Sequence, residues 1–117
     1  MFDLKKAQRI FIAVGYTDLR QGIDGFVTLV QNTFHMNPQS STLFLFCGRR
    51  SDRIKALFWD GDGYILLYKR LEDGRYQWPR TETELKELTF QQFRWLMEGL
   101  QVEQKHSIKP APRGAFY

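Results

Sequence analysis

Leu43-Phe44-Leu45-Phe46-Cys47, Ile54-Lys55-Ala56-Leu57-Phe58-Trp59, Tyr64-Ile65-Leu66-Leu67-Tyr68-Lys69-Arg70-Leu71 and Arg75-Tyr76-Gln77-Trp78 follow one another with only short polar breaks between them. Each run is short and rich in branched or aromatic side chains, which is the composition of a strand. The breaks are Gly48 to Asp52, Asp60-Gly61-Asp62-Gly63 and Asp73-Gly74. Asp73-Gly74 matches a two-residue hairpin turn whose central positions both need positive φ. Strands joined this tightly must run antiparallel, because a parallel return needs a dozen or more residues. The stretch predicts an antiparallel meander of about four strands.

Before these strands, Ile10-Phe11-Ile12-Ala13-Val14 closed by Gly15 reads as an N-terminal strand. Thr17 or Asp18 is placed to cap a following helix, since their oxygens accept from the unpaired N–H groups of a first turn. Ile23, Phe26, Val27, Val30 and Phe34 then form one helical stripe, weakened at its start by Gly22 and Gly25 and ended by Asn37-Pro38. On the other side of the strands, Thr81 to Lys86 reads as a polar linker. Thr89 with Gln92 makes a capping box for a helix over Phe90 to Glu98, with Phe90, Phe93, Met97 and Leu100 on one side and Gly99 as its stop. The expected fold class is α+β: a mainly antiparallel sheet, the N-terminal strand plus the meander, packed with two helices. Residues 1–100 are expected to form one domain. Residues 101–117, with Pro110, Pro112 and Gly114 and no periodicity, are expected to be a flexible tail.

A chain of 117 residues has room for one ordinary core. Its 43% hydrophobic and 26% charged content excludes a disordered protein. The one cysteine, Cys47, excludes an internal disulfide and a multi-cysteine metal knuckle. The apolar run at 10–14 is too short for a signal peptide or a membrane span, so the expected location is cytoplasmic, away from membranes. A net charge of +4 permits a nucleic acid or an acidic partner without requiring either.

The search for catalytic groups finds little. His35 and His106 have no partner at ligand spacing, and Cys47 lies in an apolar strand as a packing residue. No glycine-rich phosphate loop is present. Asp60 and Asp62 could serve a metal-dependent nuclease, but they occupy a tight-turn segment and lack the closing glutamate of a calcium loop. Asp18 and Asp24 are read as a cap and a first-turn charge. No catalytic residue, metal ligand or cofactor is expected.

Binding has more support. From 49 to 80 there are eight cationic residues against five carboxylates, a net +3. The candidate binding residues are Arg49, Arg50, Arg53 and Lys55, with Lys69, Arg70 and Arg75 in support. Alternation puts Arg53 and Lys55 on one face of their strand and Ile54, Ala56 and Phe58 on the other. A sheet with its apolar side on helices and its basic side in solvent can neutralise phosphates or pair with carboxylates. Tyr64, Tyr68, Tyr76 and Trp78 offer stacking groups among the charges. Ordinary solvation of a sheet edge explains the same pattern, so charge alone leaves both readings open.

Longer motifs carry a resemblance. Gly15-Tyr16-Thr17-Asp18-Leu19-Arg20 followed by Gly22-Ile23-Asp24-Gly25-Phe26 is similar to the T-D-[ML]-R-x-x-I-D-G-L signature of a bacterial family. Leu43 to Lys55 resembles its L-F-V-F-x-x-R-x-x-D-R-[IL]-K block, continued by Trp59 to Gly63 and Tyr68 to Pro79. The family is the TnpB, or second-open-reading-frame, accessory protein of the IS66 group of insertion sequences, and the resemblance covers roughly residues 9–100. It implies a non-catalytic accessory protein of DNA transposition, encoded beside a separate transposase that carries the acidic catalytic residues. The implied partners are element DNA, the cognate transposase and other element-encoded proteins. A pure protein-interaction subunit is the alternative, favoured by the aromatic content and by Phe116-Tyr117 at the end of the tail.

Overall fold

The computed structural model describes residues 4–104. A short 3-10 turn at Leu4–Lys6 leads into β1 (Arg9–Ala13). Then comes α1 (Ile23–Thr28), which runs directly into a π-helical turn at Leu29–Thr33. After it follow β2 (Thr42–Cys47), β3 (Arg53–Trp59), β4 (Tyr64–Arg70), β5 (Leu85–Leu88) and α2 (Phe90–Met97). The five strands form one sheet in the order β4-β3-β2-β1-β5. All neighbours are antiparallel except β1 and β2, which pair in parallel with Ile10 opposite Leu43 and Ile12 opposite Leu45. The α+β class and the mostly antiparallel sheet are as expected.

The parallel pair lies inside the sheet because, past their first residues Arg9 and Thr42, both strands are wholly apolar. Every residue of β2 is buried, and β1 is buried from Ile10 to Ala13. Such a strand needs cover on both faces. One face carries Ile12, Leu45, Ile54, Ala56 and Phe58 against Leu96 of α2 and against Tyr76 and Trp78. The other carries Phe11, Phe44, Phe46 and Leu57 against Phe26 and Val30 of the α1 region. The α1 crossover that a parallel pair requires is thus also the lid of one face. The expected basic face in solvent is corrected here. Arg53 and Lys55 do alternate with Ile54 and Ala56, but their face is the one that Leu57 shares with the α1 layer.

The meander holds through three strands, β2-β3-β4, and then stops. Arg75 to Trp78 is not a fourth strand but part of the long connection from β4 at one edge to β5 at the other. Its Tyr76 and Trp78 are buried while Arg75 and Gln77 are exposed, so it has a strand's alternation without a strand's partner. The Trp78 indole N–H donates to the Ala13 carbonyl at 2.9 Å, anchoring the crossing chain on β1. Gly74 has positive φ, as a turn requires, but Asp73 does not, so the expected two-residue hairpin is absent. The end of the segment read as linker, Leu85 and Lys86, instead starts β5 and pairs with β1. The Asp60–Gly63 segment does form the β3–β4 turn, closed by the Asp60 N–H donating to the Gly63 carbonyl at 2.8 Å.

The second helix begins as expected: Thr89 Oγ1 accepts from the Gln92 N–H at 3.0 Å, and Gln92 Oε1 accepts from the Thr89 N–H at 2.9 Å. Its inward side is Phe93, Leu96 and Met97; Phe90 and Leu100, expected there, are among the exposed large side chains. Gly99 has φ +83° and closes it. The α1 cap is not as expected. Its N-cap is Gly22, with no side-chain bond, and Asp18 is used elsewhere. Val102 is buried in the α2-side core, so packing extends past Leu100; residues 105–117, most of the expected tail, lie outside the described residues. No helix among the described residues is long and apolar enough to cross a membrane.

The Tyr76 hydroxyl is buried without a hydrogen-bond partner among the described residues. Leaving a buried polar group unsatisfied costs roughly 1–3 kcal/mol. Tyr76→Phe is therefore expected to hold or raise stability in a urea or thermal melt. A clear loss would show that the hydroxyl is bonded in solution.

Candidate functional site

Because β1 and β2 run in the same direction, the loops that leave them emerge side by side. The 14–22 loop and the 48–52 loop are joined directly by the Thr17 N–H, which donates to the Cys47 carbonyl at 2.9 Å. Arg80, from the crossing segment, completes the joint. Its Nη1 donates to the Gly15 carbonyl and its Nη2 to the Gly48 carbonyl, both at 2.6 Å. The same guanidinium lies 4.2 Å from the centroid of the Tyr16 ring. Gly15 is required at the joint: its φ is +92°, and a Cβ there would stand 2.8 Å from the Glu82 carbonyl oxygen.

Between the two loops opens a cleft of about 440 Å³, lined by Tyr16 to Arg20 on one side and by Gly48, Arg49, Arg50 and Arg53 on the other. Two aspartates set the posture of its guanidinium groups. Arg20 grips Asp18 with Nε at 3.0 Å and Nη2 at 2.9 Å, while the Arg20 backbone N–H donates to the same carboxylate at 2.9 Å. Those bonds from the Arg20 side chain, then from its backbone, hold the Asp18 carboxyl down at about 2. Arg53 grips Asp52 in the same way, with Nε at 2.9 Å and Nη2 at 3.2 Å. This bond is the main reason the Asp52 carboxyl lies below its ordinary range. Arg50 approaches the same carboxylate at 3.7 Å. Both forks use the Nε–Nη2 edge, so Nη1 of each guanidinium stays outside the carboxylate pair. Arg49 has no carboxylate partner among the described residues and lies 6.0 Å from the Tyr16 ring centroid.

The structure therefore brings Arg49, Arg50 and Arg53 together and separates the other candidates. Lys55 stands behind the cleft: its Nζ donates to the Gln21 carbonyl at 3.2 Å and lies over the Phe26 and Tyr68 rings. Arg70 is directly opposite Arg53 and shares its face, but pairs with Glu72 at 3.3 Å. Lys69 is opposite Ile54 and so belongs to the other face. Arg75 is exposed on the crossing segment, beside Tyr76, whose N–H donates to the Ser51 carbonyl at 2.8 Å.

Sequence reasoning missed four members of the site. Tyr16, Arg20 and Arg80 were not among its binding candidates, and Asp18 was read as a helix cap. The signal available was the strand-loop pattern at 10–20, which gives no sign of the strand it pairs with. Cys47 is buried, as expected, and desolvation pushes its thiol up, with Arg80 acting in the opposite direction. Asp60 is ion-paired with Lys6 at 3.2 Å. The described residues hold no group of three or more His, Cys, Asp or Glu able to share a metal ion.

A family model described as IS66 Orf2 like protein matches residues 8–107, a span that contains both loops of the cleft. The chain belongs to that family. Membership ties it to the transposition of insertion sequences. Among its relatives is the uncharacterised protein y4hO of Sinorhizobium fredii, 36% identical over 92 residues that cover 79% of this chain and 80% of the relative. Another from the same organism, the uncharacterised protein y4jC, is 32% identical over 100 residues, 86% of each chain. No solved structure matches this IS66 Orf2 like protein.

Two outcomes follow from the geometry. The depressed Asp18 carboxyl contributes stability above the ordinary carboxylate range and loses it as pH falls through about 2. Carboxyl NMR of Arg20→Gln should show Asp18 titrating nearer the ordinary value; an unmoved midpoint would mean that Arg20 is not the cause. Arg80→Ala removes two charged hydrogen bonds to loop carbonyls and should lower stability by about 2–3 kcal/mol. A chemical-denaturation midpoint unchanged from the wild type would show that Arg80 does not hold the loops.

Proposed function

We propose that this IS66 Orf2 like protein is an accessory factor of transposition that acts by binding, with the cleft between the 14–22 and 48–52 loops as its contact to DNA. The observation that carries the reading is the convergence of four guanidinium groups, Arg20, Arg49, Arg50 and Arg53, on one open cleft whose carboxylates are Asp18 and Asp52. Arginine presents several N–H donors in a rigid fork, and a fork already held by an aspartate keeps its remaining donors aimed. A phosphate can meet those donors without displacing the aspartate.

The measurement is DNA affinity as a function of salt for the wild type and for Arg49→Ala/Arg50→Ala/Arg53→Ala. Neutralised phosphates release counterions, so the variant should bind more weakly and with a salt slope shallower by roughly 1 for each phosphate it no longer neutralises. Superimposable curves would remove the DNA reading.

A second reading rests on β4. It is a seven-residue edge strand, its outer edge has no strand partner among the described residues, and Leu67 and Tyr68 are exposed on it at 39% and 55%. Such an edge can accept a strand from another protein, here the transposase. Co-purification with the transposase after nuclease treatment, abolished by Leu67→Pro, supports it; retention of the complex in that variant refutes it.

A further inference from the structure

Resting on the DNA reading above, we infer that the cleft receives one unpaired nucleotide, the base against the Tyr16 ring and the phosphate among Arg20, Arg49 and Arg50. The first ground is shape. The cleft is a concavity between two loops, of the size that takes a small ligand. A nucleotide inside a duplex remains stacked between its neighbours, and its base enters a concavity only after leaving the stack. A duplex can lay its phosphates across the rim, whereas the floor is reached only by a strand that is already unpaired.

The second ground is Tyr16. It is the most exposed large hydrophobic side chain among the described residues, at 62%. It is also backed by a firmly placed group. The Arg80 guanidinium 4.2 Å from its centroid is fixed by its bonds to the Gly15 and Gly48 carbonyls. A ring backed by a fixed cation and open over most of its surface is a stacking platform, and every base offers it a π face.

The third ground is the spacing of roles within the site. Tyr16 stands on the same loop as Arg20 and across the cleft from Arg49 and Arg50, so aromatic and cationic groups line one concavity. An acidic peptide would use the guanidinium groups and leave the ring unused. A nucleotide uses both. Arg20 and Arg50 are well exposed, at 91% and 73% of their side chains, so neither is committed to the protein's interior.

The test compares two labelled DNAs by fluorescence anisotropy: a blunt duplex, and the same duplex extended by a short unpaired thymidine overhang. For the wild type the overhang should tighten binding roughly 5- to 150-fold, the range expected for one stacked base. Tyr16→Phe should keep that preference. Tyr16→Ala should lose it, its affinities for the two DNAs becoming equal, with its thermal melt showing that the loops are intact. Equal affinity of the wild type for both DNAs overturns the inference and leaves the DNA reading standing. So does a folded Tyr16→Ala variant that keeps the wild-type preference for the overhang. Failure of the wild type to bind either DNA removes the DNA reading and the nucleotide site with it.

Discussion

Two parallel strands occupy the middle of a sheet that is otherwise antiparallel, and the arrangement of the molecule follows from that pairing. Antiparallel neighbours send their loops to opposite ends. A parallel pair sends both to the same end, where the loop carbonyls have left the ladder and still need donors. Thr17 supplies one donor, through its N–H to Cys47, and Arg80 supplies two, to Gly15 and Gly48. Arg80 can reach them only because the β4–β5 connection crosses one face of the sheet, anchored by Trp78 on the Ala13 carbonyl. Core, crossover and cleft are in this sense one construction.

Magnitudes separate what holds the cleft from what equips it. The ion pairs Arg20–Asp18 and Arg50–Asp52 are open to solvent, where such pairs contribute little and less still in salt. They do not hold the loops. The charged hydrogen bonds of the part-buried Arg80 contribute more, about 2–3 kcal/mol for the two together. The aspartates have a different effect: each fixes a guanidinium at one edge and leaves the other available. A site with positive ends and restrained side chains loses less conformational freedom when an anion arrives.

The two edges of the sheet differ in a way that bears on partners. At one edge β5 is four residues long and is tied to β1 by the Arg9–Glu87 pair, with Nε and Nη2 of Arg9 each 2.9 Å from the carboxylate. At the other, β4 is seven residues long, with Lys69 and Arg70 at its C-terminal end. Charges at a strand end are the usual protection of an open edge, yet Leu67 and Tyr68 between the apolar start and those cations remain in water. The cleft and this edge lie on adjoining parts of the molecule, since Arg53 at the cleft wall is registered opposite Arg70 of β4.

Local chemistry was legible in the sequence wherever neighbours along the chain decide the outcome. The strands at β1 to β4, the stripe at Phe26 and Val30, the Thr89–Gln92 box, the Asp60–Gly63 turn and the burial of Cys47 each depend on side chains within a few residues of one another. The motifs at 15–26 and 43–55 likewise pointed to the family, because an ordered run of residues is a property of the chain itself. Pairing across the chain was decided only by the tertiary structure. Tyr76 and Trp78 alternate as a strand would, but the same alternation suits an extended segment laid over a core, and period alone does not distinguish them. Arg53 and Lys55 share a face in either case; whether that face meets water or a helix depends on where α1 packs. The cleft is the clearest instance. Arg20, Arg49 and Arg80 are far apart in sequence, and they meet because β1 chose β2 as a parallel neighbour, a choice made by apolar burial on both faces and not by any residue of the site.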